Sequence, residues 1–230
     1  MFIYLLEHIV SNLIIVISGS AHSGKTTCIE QLTKVLGPEN VVHKTEIIRD
    51  KNINIDEIRK DPVKYLDFEI EVIGEKILQE ETAKIYDDNK IIFFDRSLID
   101  SYFYYTFYLD KSSFDEENIK KYHEFLSVLT VKTHIHLFNI YDMVFLFEPI
   151  REQQRFDNYT QKYLKYTQEN EYHFIRNMTI GFAETIIDKK AEIDVANISC
   201  RNKITDINVK TQYGFLLDYI KEISNNRGIL

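Results

Sequence analysis

The sequence is poor in cysteine. Only Cys28 and Cys200 are present, and they show no metal-type spacing. That excludes a disulfide-stapled scaffold and points to a reduced, cytoplasmic protein. Basic charge is also short: 28 lysines and arginines against 36 acidic residues leave a net charge of -8. This balance disfavours a broad nonspecific DNA-binding face, while a local basic groove stays open. Met1 to Val10 is apolar, but it contains Glu7 and lacks a basic start and a small-residue cleavage site. The expectation is a segment packed beside the first strand, neither a signal peptide nor a bilayer span. Internal repeats, low-complexity runs and an interdomain linker are missing too. The whole chain, residues 1–230, is therefore expected to form one domain with a full core.

What is present begins with Gly19-Ser20-Ala21-His22-Ser23-Gly24-Lys25-Thr26, which fits G-x-x-x-x-G-K-[ST]. Leu13 to Ile17 precedes it as an apolar, β-branched run, the pattern of a buried strand. Cys28, Ile29, Leu32, Val35 and Leu36 follow at helical spacing and stop at Gly37-Pro38. Strand, glycine loop and helix form an anion nest, in which backbone N–H groups converge on phosphate. Lys25 is expected at the β- and γ-phosphates of ATP, and the Thr26 hydroxyl on Mg²⁺. The nucleotide-binding set runs through Gly19, Ser20, Ala21, His22, Ser23, Gly24, Lys25, Thr26 and Thr27.

Val41-Val42-His43 reads as a second strand, with Glu46 and Arg49 in the loop after it. In open α/β sheets such loops face the ligand; a solvated charged loop is the competing account. Asp61-Pro62 has the form of a helix N-terminus. Leu66, Ile70, Ile73 and Ile77 then supply a core stripe, with acids and lysines assigned to the other faces, out to about Asp87.

Ile91 to Asp95 is the second informative stretch, a strand-like run ending in a carboxylate suited to holding Mg²⁺ against the phosphates. Arg96 follows, either gripping a phosphate or sugar group or making a structural ion pair. The helix from Ser97 to Tyr108 carries six aromatic residues, most of them core and one or two able to stack on a base. Phe114 to Val131 reads as a helix, and His134 and His136 as ordinary surface histidines rather than a metal pair. Met143 to Phe147 and Ile193 to Ile198 complete the strands, and Phe215 to Ile223 reads as a last helix. Between the last two strands, residues 150–167 contain Arg151 and Arg155 and read as a basic lid or as a solvated helix.

With the P-loop, Glu46 and Arg49, Phe94-Asp95-Arg96-Ser97, and Tyr141-Asp142 before Val144-Phe145, the chain resembles the AAA-like P-loop domain family. That family includes nicotinamide-riboside kinase domains and lies close to thymidylate and deoxynucleoside kinases. The resemblance implies metal binding by Asp95, contact of Arg96 with the acceptor's phosphate or sugar end, and acceptor positioning or base catalysis by Glu46. The family's Asp-Gly-x-Arg is replaced here by Asp157-Asn158-Tyr159-Thr160, leaving Arg151 or Arg155 to supply the lid arginine.

The expected fold is a three-layer α/β P-loop NTPase fold: a mostly parallel, roughly five-stranded sheet with helices on both faces and a basic lid. The expected function is an ATP-dependent kinase with a nucleoside- or nucleotide-like acceptor. An NTPase switch is the alternative, and a kinase for a modified base in DNA is disfavoured by the acidic balance. ATP, Mg²⁺ and a small acceptor are the expected ligands. No membrane is implied, and a homodimer is left open.

Overall fold

The computed structural model describes residues 12–19, 23–51, 53–85, 89–147, 170, 173–178, 194–198 and 206–230. Five strands form one parallel sheet: β1 Leu13–Gly19, β2 Val41–Lys44, β3 Ile91–Asp95, β4 Met143–Phe147 and β5 Asp194–Ile198. Their order is β2-β3-β1-β4-β5, and the alternation of apolar runs and helical stripes accounts for the parallel pairing. The helices are α1 Lys25–Leu36, α2 Ile47–Asp50, α3 Ile55–Ile58, α4 Pro62–Ile85, α5 Leu98–Phe107, α6 Glu116–Ile135 and α7 Asp206–Asn226. A π-helical turn, His136–Ile140, leads from α6 into β4. Among the described residues no helix is long and apolar enough to cross a membrane.

β1 lies at the centre, and its period-two alternation divides the core. Leu13, Ile15 and Ile17 pack with Ile29, Leu32 and Leu36 of α1 and with Leu216 and Ile220 of α7. Ile14 and Val16 face the other way, against Phe94, Ile99, Phe103 and Leu137. A third cluster joins α4, α5 and α6 through Tyr65, Leu66, Ile73, Leu98, Tyr105, Tyr122 and Leu129. Each such fully buried aliphatic contributes about 1.5–3 kcal/mol. The sheet is thus covered on both faces, which is why its strands read as continuous apolar runs.

Local signals account for the helix ends. Asp61 accepts from the Lys64 N–H at 3.2 Å, capping α4 ahead of Pro62. Gly37, at φ 92°, ends α1. Between β2 and α4, a polar stretch with no clear helical period folds into the short helices α2 and α3.

Two expectations are corrected. The acids and lysines of α4 do not all sit on its outer faces: Glu69, Lys76 and Glu80 are buried. They fall at helical spacing with Leu66, Ile73 and Ala83, so the core stripe carries charge at every other step. Nor is His136 a surface residue. It is fully buried, with Nδ1 2.7 Å from Glu80 Oε2 and Nε2 3.4 Å from Glu81 Oε1. Glu80 also pairs with Lys76 at 3.2 Å and accepts a short hydrogen bond from the Tyr141 hydroxyl. The burial of these charges is offset by that mutual pairing. Among the described residues no group of three or more His, Cys, Asp or Glu is arranged to hold a metal.

Candidate active site

The site lies at the carboxyl ends of β1 and β3, where an open parallel sheet leaves a crevice. Gly19 ends β1 at φ 128°, and a Cβ there would meet the Phe147 carbonyl oxygen of β4 at 2.3 Å. Only glycine fits, because the backbone is both left-handed and pressed against a neighbouring strand. Gly24, at φ 88°, opens α1 with no side-chain cap. The first N–H groups of α1 are thereby left facing the loop, ready for an anion. Lys25 is buried, and its Nζ donates to the Gly19 carbonyl at 2.8 Å and to Ser23 Oγ at 3.4 Å. Its charge is held over the loop.

β3 runs beside β1 with Asp95 opposite Ile17. This register brings the buried Asp95 carboxylate to Thr26, whose hydroxyl donates to Oδ2 at 2.5 Å. A carboxylate and a hydroxyl at the mouth of a phosphate loop form a hard-oxygen donor set. That set suits Mg²⁺, which takes one or two protein ligands beside substrate phosphates.

Arg96 continues the pairing, its N–H donating to the Ile17 carbonyl at 3.0 Å. Its φ is 81°, a left-handed conformation that is uncommon for a residue with a side chain. That turn aims the guanidinium back across the sheet end. Nε lies 3.0 Å from Glu46 Oε1, and the guanidinium carbon sits 5.1 Å from the centre of the Tyr104 ring. Arg96 is therefore in an ion pair, and its partner is the other residue expected at the acceptor. The side chain of Arg49 is outside the described residues, as are Ser20, Ala21, His22 and the 150–167 segment with Arg151 and Arg155. Thr27 is exposed on the first turn of α1.

Asp100 was not singled out in the sequence, yet it ties the two loops together. Fully buried, its Oδ2 accepts from Ser18 Oγ at 2.7 Å, Ser97 N–H at 2.7 Å and Ser97 Oγ at 2.8 Å. Oδ1 accepts from the Gly19 N–H at 3.3 Å and lies 3.7 Å from Arg96. The signal was available: Ser97-x-x-Asp100 is a capping box before an apolar helix. Its reach to β1, 81 residues away in sequence, was not.

The aromatic helix also resolves. Phe103 and Tyr105 are core, Phe107 is exposed, and Tyr104 stacks on Tyr108 with centroids 5.6 Å apart. Arg59 lies 4.4 Å over the Tyr108 ring. Glu69 is buried nearby, and its pKa is pushed up to about 7. Burial is the main cause; Glu46 adds to the rise, while Tyr65 and Arg59 oppose it.

Among curated proteins, none matches the chain. Among solved structures, the NadR protein in complex with NAD and AMP-PNP is similar at 17% identity and a TM-score of 0.51. That similarity covers 95% of this chain and 51% of NadR. NadR in complex with NR gives 16% identity and a TM-score of 0.54, over 92% of this chain and 50% of NadR. The chain thus spans about half the length of NadR, and identities this low show the fold alone. The thymidylate kinase of Ehrlichia chaffeensis, at 16% identity over 93% of this chain and 98% of its own, has a TM-score of 0.40, too low to carry an argument. A family defined as an AAA domain matches residues 14–193, well over half of the sequence. The chain belongs to this AAA domain family and has its P-loop α/β fold.

Proposed function

We propose that the protein is an ATP-dependent kinase that moves the γ-phosphoryl group to a hydroxyl of a nucleoside- or nucleotide-like acceptor. The observation that carries this reading is the convergence of two assemblies at one sheet end. Thr26 and Asp95 meet at 2.5 Å on the nucleotide side, and Arg96 and Glu46 meet at 3.0 Å beside them. A nucleotide switch needs only the first assembly, and in a switch the second would be a structural ion pair.

In this reading Lys25 leaves the Gly19 carbonyl and binds the β- and γ-phosphates. Thr26 and Asp95 would hold Mg²⁺, which when bound neutralises charge on the phosphates. Arg96 binds and orients the acceptor, and Glu46 accepts the proton of its hydroxyl. The acceptor oxygen forms its bond to the γ-phosphorus as the bond to the β–γ bridging oxygen breaks, and ADP leaves. Residues 150–167 would act as the lid, bringing Arg151 or Arg155 to the transferring group and excluding water.

The test is ADP release from the full chain with ATP and a panel of nucleosides and nucleoside monophosphates. Acceptor-dependent release that requires Glu46 and Arg96 supports the reading. ATP hydrolysis at one rate whatever the acceptor would sink it and favour the switch.

A further inference from the structure

Six side chains gather into one circuit-like group next to the phosphate site, five of them in a continuous series of contacts. Glu46 pairs with Arg96, Arg96 covers Tyr104, Tyr104 stacks on Tyr108, and Arg59 covers Tyr108. Glu69 lies within electrostatic reach of both Arg59 and Glu46, the two ends of this series. The members come from α4, the turn after β3, α5 and its C-terminal end, and the segments flanking α2 and α3, so only the folded chain assembles them.

Glu69 stands out within the circuit. Its residue exposure is 2%, and its Oε1 has no hydrogen-bond partner among the described residues. A buried polar atom without a partner is costly, and a ligand that supplies the partner recovers that cost. The groups facing Glu69 are Arg59, Tyr65 on its own helix one turn earlier, Tyr105 of α5 and Glu46 after β2. Guanidinium and phenol planes line the circuit, surfaces on which a flat ring packs well. With Glu69 ionised the two guanidiniums and two carboxylates balance, and with it neutral one net positive charge remains, so in neither state is a cationic ligand favoured.

We infer that Glu69 is a specificity-determining residue of the acceptor site, with its buried carboxyl group holding the edge of an uncharged planar ring that presents a hydrogen-bond donor next to an acceptor. The inference rests on the kinase reading for the use of the site, though not for its shape. A neutral carboxyl offers an O–H donor beside a carbonyl acceptor, which complements such an edge on both counts. Ionised, it offers acceptors only and loses half of the match. Because burial pushes the pKa of Glu69 up to about 7, both forms occur near neutrality. The neutral fraction falls about tenfold between pH 6 and pH 8, so acceptor binding weakens as pH rises.

The experiment measures KM and kcat at pH 6 and pH 8 for wild type, Glu69→Gln and Glu69→Leu. The acceptors are uridine, cytidine, adenosine, inosine and a cationic ribosyl pyridinium. A neutral nucleoside should be preferred, with wild-type KM rising about tenfold from pH 6 to pH 8. Relative to wild type, Glu69→Gln should remove that rise, because an amide keeps one donor and one acceptor and does not titrate. Glu69→Leu should raise KM at both pH values with a smaller effect on kcat. Preference for the pyridinium, or a KM indifferent to both substitutions, overturns the inference. If none of the five is phosphorylated, the kinase reading is judged on the wider panel that includes the nucleoside monophosphates. Calorimetric titration of the same five compounds into wild type and Glu69→Gln then decides the inference. Binding of a neutral nucleoside that weakens with pH only in wild type upholds it. Equal affinities and equal pH profiles, or no binding of any compound, overturn it.

Discussion

Asp100→Asn is the sharpest test of how the two loops are held. In the native site one oxygen accepts three hydrogen bonds, from Ser18 and twice from Ser97, while the other accepts from Gly19 and faces Arg96. An asparagine has one acceptor oxygen. If it takes the three-bond position, its NH₂ group points at the Gly19 N–H and the Arg96 guanidinium, donor against donor. If it flips, the NH₂ group meets the Ser97 N–H donor against donor, and the two serine hydroxyls must turn to accept from it. Even the better arrangement forfeits a charge-assisted hydrogen bond and a buried charge pairing, a loss of about 2–4 kcal/mol. For a chain of this size each kcal/mol lowers Tm by roughly 2–4 °C, so a drop of about 4–16 °C is expected. The assay is a thermal melt with and without ATP, beside ATP affinity by calorimetry. ATP should bind more weakly as well, because Gly19 and Arg96 lose their common anchor. A variant with unchanged Tm and unchanged ATP affinity would refute the argument that Asp100 couples β1 to β3.

Four further outcomes are expected. Lys25→Ala should cut ATP-dependent turnover by orders of magnitude while the fold survives, read from turnover and a melt on one preparation; near-normal turnover would rule out the P-loop role. Asp95→Asn should raise the Mg²⁺ concentration needed for activity, whereas Arg96→Ala should lower acceptor efficiency by roughly ten- to a hundredfold without Mg²⁺ rescue, both seen in one Mg²⁺ titration. Gly19→Ala should prevent stable folding, because its Cβ would overlap the Phe147 carbonyl, while Gly24→Ala, with open space but φ 88°, should cost only about 1–2 kcal/mol in a denaturant titration. Glu69 has a folded-state pKa of about 7, above its ordinary value of 4.5, so the native chain binds the extra proton and its stability falls as pH rises from about 4.5 to 7. In ligand-free melts across that window, the Tm of Glu69→Gln should not show this component, and parallel Tm curves for the two proteins would contradict it.

The sequence by itself determined the parts whose signal is local. A glycine loop between an apolar run and a helical stripe can form little else, and Gly37 and Asp61-Pro62 mark helix ends by backbone chemistry alone. Apolar runs alternating with amphipathic stripes likewise specify a covered parallel sheet, and Asp95 at the end of such a run lands beside Thr26 once β1 and β3 pair. Only the tertiary structure decided what depends on distant approach. Arg96 meets Glu46 because its left-handed backbone turns it across the sheet end, a conformation that no composition or period signals. Asp100 reaches β1 because β3, which leads into α5, pairs with β1. Glu80 meets His136, and Arg59 comes over Tyr108, because segments from separate crossovers pack on one face. Glu69 is the extreme case: at helical spacing between Leu66 and Ile73 its charge suggests an outward face, and packing buries it instead. A periodic pattern records which face of a helix is apolar on average. Which charged groups that face can carry is set by the partners that the other elements bring to them.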